Sequence, residues 1–119
     1  MLDDLFLILK FSLFTFIFSL FKMLSQNKIK LIECPRDAMQ GWSRFIPTEQ
    51  KIEYINSLLQ VGFDTLDFGS FVSPKAIPQL ADTKDVIPQL QLNNKTKLLA
   101  IIANSRGAED AVQFDEISF

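Results

Sequence analysis

Apolar residues follow two different patterns, one before Met23 and one after it. From Leu5 to Phe21 the chain would be apolar on every side of a helix, interrupted only by one lysine, two serines and a threonine. After Met23, short apolar runs alternate with stretches in which apolar residues recur three or four positions apart. The second pattern predicts strands alternating with helices, in the order β-α-β-α-β-α-β.

Three strands are predicted, with the beginning of a fourth near residue 116. The third strand is apolar at consecutive positions, which is typical of a strand buried on both faces of a parallel sheet. The predicted strands are Ile29–Glu33, Asp64–Phe68 and Lys97–Ala103.

One long helix is predicted between the first two strands. Thr48 would cap it, apolar residues follow at helical spacing, and Gly62 would end it. Residues 34–47 have no period and contain two prolines, so we expect a long loop there. Asp82 or Thr83 would cap a second helix, which a proline in its second turn should shorten.

This alternation implies an α/β fold of parallel strands joined by helical crossovers. A doubly wound sheet and a (β/α)₈ TIM barrel both fit it. A barrel needs about 250 residues. Residues 23–119 would supply its first three to four βα units, truncated at the C-terminus.

Three interpretations compete for residues 1–22. A transmembrane helix needs about 20 apolar residues, and Lys10 lies inside the run. A signal peptide should begin with a cationic stretch, where this chain has Asp3 and Asp4. We favour a third interpretation, in which Met23 is the true start and residues 1–22 are a non-native upstream translation.

Composition excludes several kinds of chemistry. A net charge of −2 argues against a nucleic-acid partner bound through a basic surface. With no histidine and one cysteine, the chain holds no complete Ser-His-Asp or Cys-His system, no disulfide framework and no His-ligated metal site. Its four isolated glycines form no phosphate-binding loop.

Polar side chains follow each predicted strand. Because the carboxyl ends of parallel strands meet at one edge of the sheet, these groups should converge there. Each also has a simpler explanation, such as a loop ion pair, a strand-end acid bound by backbone amides, or a helix cap. The groups are Glu33, Arg36, Asp37 and Gln40, then Asp67, Ser70, Ser73 and Lys75, then Asn104, Ser105 and Arg106.

Residues 30–40 and 67–82 resemble the 3-hydroxy-3-methylglutaryl-CoA (HMG-CoA) lyases, which belong to the DRE-TIM metallolyases. Within the second stretch, Ser-Phe-Val-Ser-Pro-Lys followed by Pro-Gln is the more specific motif. Residues 103–107 are similar to the family's Pro-Asn-x-x-Gly stretch. The resemblance covers residues 28–119 and leaves residues 1–22 without a counterpart in the enzyme domain.

The resemblance implies a barrel that cleaves HMG-CoA to acetyl-CoA and acetoacetate with Mg²⁺ or Mn²⁺, a reaction of leucine degradation. By position, Arg36 resembles the catalytic arginine and Asp37 the metal-binding aspartate. Asp67 stands where the family usually has a catalytic-site glutamate. The substrate-binding positions that the resemblance implies are Gln40, Ser70 and Asn104.

The chain also departs from the family. Ala38 replaces the glycine after Arg-Asp, and Asp67 is one methylene shorter than glutamate. The family's His-x-His metal ligands and its catalytic cysteine would lie beyond residue 119, and Cys34 is not that cysteine. We therefore expect a fragment that is inactive alone and that, at full length, is a cytoplasmic homodimer acting on an acyl-CoA, with no membrane contact unless residues 1–22 are native.

Two alternatives remain. A related barrel of the isopropylmalate or homocitrate synthase type would condense instead of cleave, although the Ser-Phe-Val-Ser-Pro-Lys motif argues against it. A membrane-anchored α/β binding module, complete at residue 119, would not be an enzyme. Continuation of the gene into a His-x-His motif would favour the lyase.

Overall fold

A computed structural model describes residues 13–20 and 29–118 of the chain. Residues 13–20 are helical, are called α1 here, and have exposed side chains. The other helices and strands are β1 (Ile32–Glu33), α2 (Pro35–Gln40), α3 (Thr48–Val61), β2 (Thr65–Ser70), α4 (Thr83–Val86), β3 (Lys97–Ile101) and α5 (Ser105–Ala111). Two 3₁₀ turns, Pro78–Leu80 and Ile87–Gln89, flank α4.

The strands form one parallel sheet in the order β1-β2-β3. A bulge between Asp67 and Gly69 shifts the register of β2 against β3. In place of the predicted fourth strand, Ile117 makes a single parallel bridge to Leu98. The sheet confirms the α/β class, but sequential strand order also occurs in half of a doubly wound sheet, so it does not by itself identify a barrel.

The core lies between one face of the sheet and the helices. Leu66 and Phe68 of β2 pack there with Ile55 and Leu59 of α3. The other face is partly open: the side chains of Ile32 and Ile101 are 58% and 36% exposed. The prediction that β3 is buried on both faces is therefore wrong within residues 29–118, because Leu98 and Ala100 are buried whereas the alternate positions are exposed or half-buried.

Residues 34–47, predicted to be a loop, contain helix α2. Pro35 occupies its first position, where a fixed φ and a missing N–H suit a helix, and Asp37 lies in its first turn. Six residues are too few to show a helical period. Periodicity along the sequence therefore could not reveal this helix.

The helix ends give mixed results. Gly62 ends α3 in the left-handed conformation with φ 86°, as predicted. Thr48 is not the cap, since Pro47 precedes the helix and the Thr48 hydroxyl instead donates to Asp82 Oδ2 at 2.8 Å. Asp82 precedes α4, but its side chain accepts no capping hydrogen bond from the helix. As predicted, α4 is short and passes into the 3₁₀ turn that contains Pro88.

The interpretations of residues 1–22 fall largely outside the described residues. Of this segment only 13–20 are described, and they form α1. No helix in the described part of the chain has the length and apolarity that a bilayer crossing requires.

Candidate active site

Arg36 and Asp67 form an ion pair between α2 and β2. Arg36 is the second residue of α2, and its Nε donates to Oδ1 and Oδ2 of Asp67 at 2.9 and 3.0 Å. Its Nη2 donates to Oδ2 at 2.8 Å. The two side chains are 16% and 7% exposed. Two parallel contacts of this kind fix both the distance and the orientation of the guanidinium.

Gln40 and Asp37 approach the same guanidinium. Gln40 lies one helical turn after Arg36, and its Oε1 accepts a hydrogen bond from Arg36 Nη1 at 3.0 Å. Asp37 Oδ1 lies 3.5 Å from Nη1, and its side chain is 75% exposed. Four of the predicted site residues are thus brought together, with Arg36 at their centre.

This surrounding keeps Arg36 charged. The pKa of Arg36 is raised, mainly by the hydrogen bond from its side chain to Asp67, with smaller contributions from the charges of Asp67 and Asp37. Partial burial acts in the opposite direction and is outweighed. Arg36 is therefore a permanent cation beside the central strand β2.

Ser70 and Asn104 lie together in a different place. They line a polar cavity of about 320 Å³ between the end of β2, α4 and α5. Ser70 Oγ accepts from the backbone N–H of Val72 at 3.1 Å, and Asn104 Oδ1 accepts from Gly107 N–H at 2.9 Å. Asn104 is thus the N-cap of α5. Within the described chain, neither side chain hydrogen-bonds to Arg36.

The other polar candidates lie outside the cluster formed by Arg36, Asp37, Gln40 and Asp67. Among the described residues, none of them hydrogen-bonds to Arg36. Glu33 is half-buried opposite Leu66, and Cys34 is exposed just before α2. Ser73 Oγ accepts from the Lys75 N–H at 3.3 Å within a turn. Ser105 and Arg106 are exposed in the first turn of α5.

Sequence reasoning missed a buried polar cluster behind α2. Lys51 is 2% exposed, and its ammonium lies 2.6 Å from Asp82 Oδ1. Gln79 is also buried. One signal could have revealed the cluster: Lys51, Ile55 and Leu59 share the spacing of the buried stripe of α3, so the lysine had to point into the core.

The donors available for a divalent cation fit in type but not in number. The described residues contain no group of three or more histidine, cysteine or acidic side chains that could hold a metal. Both Asp67 oxygens accept from Arg36, whereas the Asp37 carboxylate is open to solvent. A carboxylate is the oxygen ligand that Mg²⁺ and Mn²⁺ prefer, so Asp37 fits as one ligand of a larger set.

Parallel βα units with an Arg–Asp ion pair between α2 and β2 place the chain among the parallel α/β proteins. Comparison with solved structures shows which of these it resembles. The chain superimposes on an HMG-CoA lyase from Acinetobacter baumannii, in complex with coenzyme A and 3-methylmalate, with a TM-score of 0.71 and 37% identity, covering 74% of this chain and 29% of that one. The HMG-CoA lyase of Bacillus subtilis gives a TM-score of 0.69 and 34% identity over 72% and 29%.

Comparison with curated proteins also finds hydroxymethylglutaryl-CoA lyases. The mitochondrial hydroxymethylglutaryl-CoA lyase of Arabidopsis thaliana is 38% identical over 85 residues, 71% of this chain and 18% of that protein. The mitochondrial enzyme of Rattus norvegicus is 36% identical over 87 residues, 72% and 27%. A cytoplasmic rat lyase also matches, at 34% identity. No family model matches the chain.

The chain is therefore homologous to the HMG-CoA lyases, and its sheet corresponds to part of their TIM barrel. Both the predicted resemblance and the predicted fold are confirmed. The chain spans between 18% and 29% of the length of these relatives. They include mitochondrial and cytoplasmic proteins, so they do not single out one compartment.

Proposed function

We propose that the protein carrying this chain is a carbon–carbon lyase that cleaves HMG-CoA to acetyl-CoA and acetoacetate with a divalent metal. Arg36, Asp37 and Asp67 would be this chain's contribution to the catalytic centre. The observation that most supports the proposal is the Arg36–Asp67 pair between α2 and β2, in a chain homologous to these lyases.

The reaction needs a fixed positive charge. In cleavage of the bond beside a tertiary alcohol, a base takes the hydroxyl proton, the alcohol becomes a carbonyl, and the electron pair of the broken carbon–carbon bond leaves with the other fragment. That fragment is an enolate, whose negative charge must be stabilised. Among the described residues, Asp67 and Gln40 accept from three of the five guanidinium N–H groups of Arg36. One N–H is left on each terminal nitrogen, with Asp37 Oδ1 3.5 Å from Nη1. In the proposed mechanism these two donate to the enolate oxygen, with no reorganisation as the charge develops.

Asp67 would act through Arg36. Both of its oxygens accept from the guanidinium, so neither is placed to take a proton from a substrate. Its proposed role is to hold the guanidinium plane in one orientation. Gln40 would support the same orientation from the other side, through Nη1.

The metal would be held in part by Asp37. When bound, a divalent cation polarises hydroxyl and carbonyl oxygens as a Lewis acid. The exposed carboxylate of Asp37 would give it one oxygen ligand, and the remaining ligands would come from outside the described residues.

The acyl-CoA would extend from Arg36 toward the cavity that Ser70 and Asn104 line. The similar lyase of Acinetobacter baumannii is a complex with coenzyme A, which supports an acyl-CoA as the substrate class. Gln40, Ser70 and Asn104 are the proposed substrate-binding positions, although the Asn104 side chain already caps α5. We also propose that the protein at its natural length forms a homodimer.

The test is an assay of the protein at its natural length. Metal-dependent formation of acetoacetate from HMG-CoA, abolished by a chelator and restored by Mg²⁺ or Mn²⁺, is expected. Condensation of an acyl-CoA with an oxo acid instead would favour the synthase alternative. Binding without turnover in either assay would favour a binding module.

A further inference from the structure

One part of residues 67–82, the second stretch that resembles the lyases, has no role in the chemistry proposed above. It is the Pro-Gln-x-x-Asp segment at residues 78–82. It forms the 3₁₀ turn Pro78–Leu80 and leads into α4. Three polar side chains in and after it are buried, with Gln79 at 5%, Asp82 at 8% and Thr83 at 4% exposure. Buried polar groups need hydrogen-bond partners, and those partners show what the stretch does.

Gln79 binds the loop that leaves α2. Its Oε1 accepts from the Ile46 N–H at 2.8 Å, and its Nε2 donates to the carbonyls of Trp42 and Arg44 at 3.2 and 2.8 Å. Trp42 is only two residues beyond Gln40, the last residue of α2. One side chain therefore fixes the backbone of this loop by three bonds, directly after the helix that carries Arg36.

Asp82 holds the far end of the same loop. Its Oδ2 accepts from the Thr48 hydroxyl at 2.8 Å, and its Oδ1 pairs with Lys51 at 2.6 Å. The Lys51 ammonium also donates to the backbone carbonyl of Gln79 and lies 4.0 Å from the centre of the Phe45 ring. The loop is thus fixed at both of its ends by the same short segment.

Thr83 holds the end of β2. Its Oγ1 accepts from the Ser70 N–H at 3.1 Å and donates to the Leu80 carbonyl at 2.9 Å. Its methyl group lies 2.7 Å from where a Cβ on Gly69 would be, so only glycine allows this approach. The contact falls just after the bulge that separates Asp67 from Gly69.

We propose that residues 79–83 are a positioning segment, which sets α2 with Arg36 against β2 with Asp67. Gln79 and Asp82 hold the chain that leaves α2, and Thr83 holds the strand that carries Asp67. The significance of this alignment for catalysis rests on the proposed function, whereas the alignment itself can be measured without any activity.

Directional contacts distinguish this role from simple stabilisation. Apolar side chains of similar volume could fill the same space, since buried polar groups are often replaced without loss of stability. Hydrogen bonds to particular backbone groups of two elements instead specify their relative placement. Weakening one of them should therefore disturb the Arg36–Asp67 contact in a protein that remains folded.

The test uses the Arg36 side chain itself. In the 119-residue chain, NMR would follow solvent exchange of the Arg36 Nε–H, which Asp67 protects by two contacts. Gln79→Glu keeps the shape and the acceptor but loses both donor contacts to the loop. It should raise that exchange about tenfold, as local opening of a protected site does. The emission of Trp42, the only tryptophan, reports the loop in the same sample.

The matched control is Gln89→Glu, which removes an exposed amide donor to the Asp85 carbonyl on the other side of α4. It should leave Arg36 exchange unchanged. A second variant, Thr83→Val, keeps the methyl beside Gly69 and replaces the hydroxyl that accepts from Ser70 N–H and donates to the Leu80 carbonyl. It should also speed exchange. If both variants fold and Arg36 exchange matches the control, the proposal is overturned. A lack of lyase activity would not bear on this result.

Discussion

Two ion pairs in this chain have similar lengths and very different surroundings. The Arg36–Asp67 atoms are 2.8 Å apart and the Lys51–Asp82 atoms 2.6 Å apart. Arg36 is 16% exposed, and in the described part of the chain one N–H on each of its terminal nitrogens is left for a further partner. Lys51 is 2% exposed and is enclosed by Asp82, the Gln79 carbonyl and the Phe45 ring. The first pair has a free side, and the second is fully occupied.

The difference follows from the two cations. A guanidinium is planar and carries five donors, so one edge can be held while the other faces a ligand. An ammonium is a compact charge with three donors, and when it is buried the groups that compensate its charge occupy those donors. An ion pair between two elements therefore indicates a candidate site only when part of its hydrogen-bonding capacity remains open.

The largest expected effect comes from breaking the enclosed pair. Lys51→Met leaves the Asp82 carboxylate buried without its cation, and should lower the free energy of unfolding by about 3–5 kcal/mol. Urea denaturation of the chain at neutral pH measures it. Lys84→Met, which breaks the exposed pair with Asp110, is the control and should cost about 0–1 kcal/mol. Similar losses in the two variants would contradict the contrast between an enclosed and an exposed pair.

The open pair should instead affect turnover. In the natural-length protein, Arg36→Gln removes the fixed charge and should lower kcat by roughly 10²–10³-fold, with little change in KM or thermal stability. Steady-state kinetics and a thermal melt separate these effects. Arg44→Gln, which changes an exposed arginine of the neighbouring loop, is the control. An Arg36→Gln enzyme with nearly normal kcat would remove the catalytic assignment.

The contact between β2 and the segment beside Asp82 can be tested sterically. Gly69→Ala places a methyl group 2.7 Å from the methyl of Thr83, and overpacking of this kind should cost about 1–3 kcal/mol. Adding Thr83→Ser removes the opposing methyl and should recover part of the loss. Gly41→Ala, where nothing lies within 4 Å, is the matched control for a small effect in denaturant unfolding.

The smallest effect on the fold is expected at Asp37. Because its side chain is 75% exposed, Asp37→Asn should change the free energy of unfolding by no more than about 0.5 kcal/mol. In the natural-length protein, Asp37→Asn should nevertheless lower the affinity for the divalent metal, and excess metal should partly restore activity. Asp115→Asn, a control outside the site, should alter neither quantity. Unchanged metal affinity in Asp37→Asn would argue against Asp37 as a ligand.

The sequence predicted those features that depend on local signals or on strand geometry. The alternation of strand and helix patterns identified all three strands, and glycine with positive φ ended α3 as expected. Arg36 and Asp67 were expected at the same edge of the sheet, and the structure brings them into contact. The shorter aspartate still reaches the guanidinium with both of its oxygens.

The features that escaped prediction depend on tertiary contacts. Lysine is rarely buried, so Lys51 was assigned no role until the fold placed Asp82 beside it, from 31 residues further along the chain. Thr48, expected to cap α3, and Asp82, one of two candidate caps for α4, hydrogen-bond to each other instead. The exposure of alternate residues along β3 also depends on what packs beside the strand, which no local pattern encodes.

The enclosed Lys51–Asp82 pair also restricts how this part of the chain can evolve. Loss of either charge alone passes through a destabilised intermediate, whereas loss of both to apolar residues is tolerated. Lineages should therefore keep both residues or exchange both together. The Arg36–Asp67 pair is less enclosed, with Arg36 16% exposed, so we expect single changes in it to be less destabilising. Ancestral reconstruction across the homologous lyases would show coupled substitution at positions 51 and 82 and single steps at position 67.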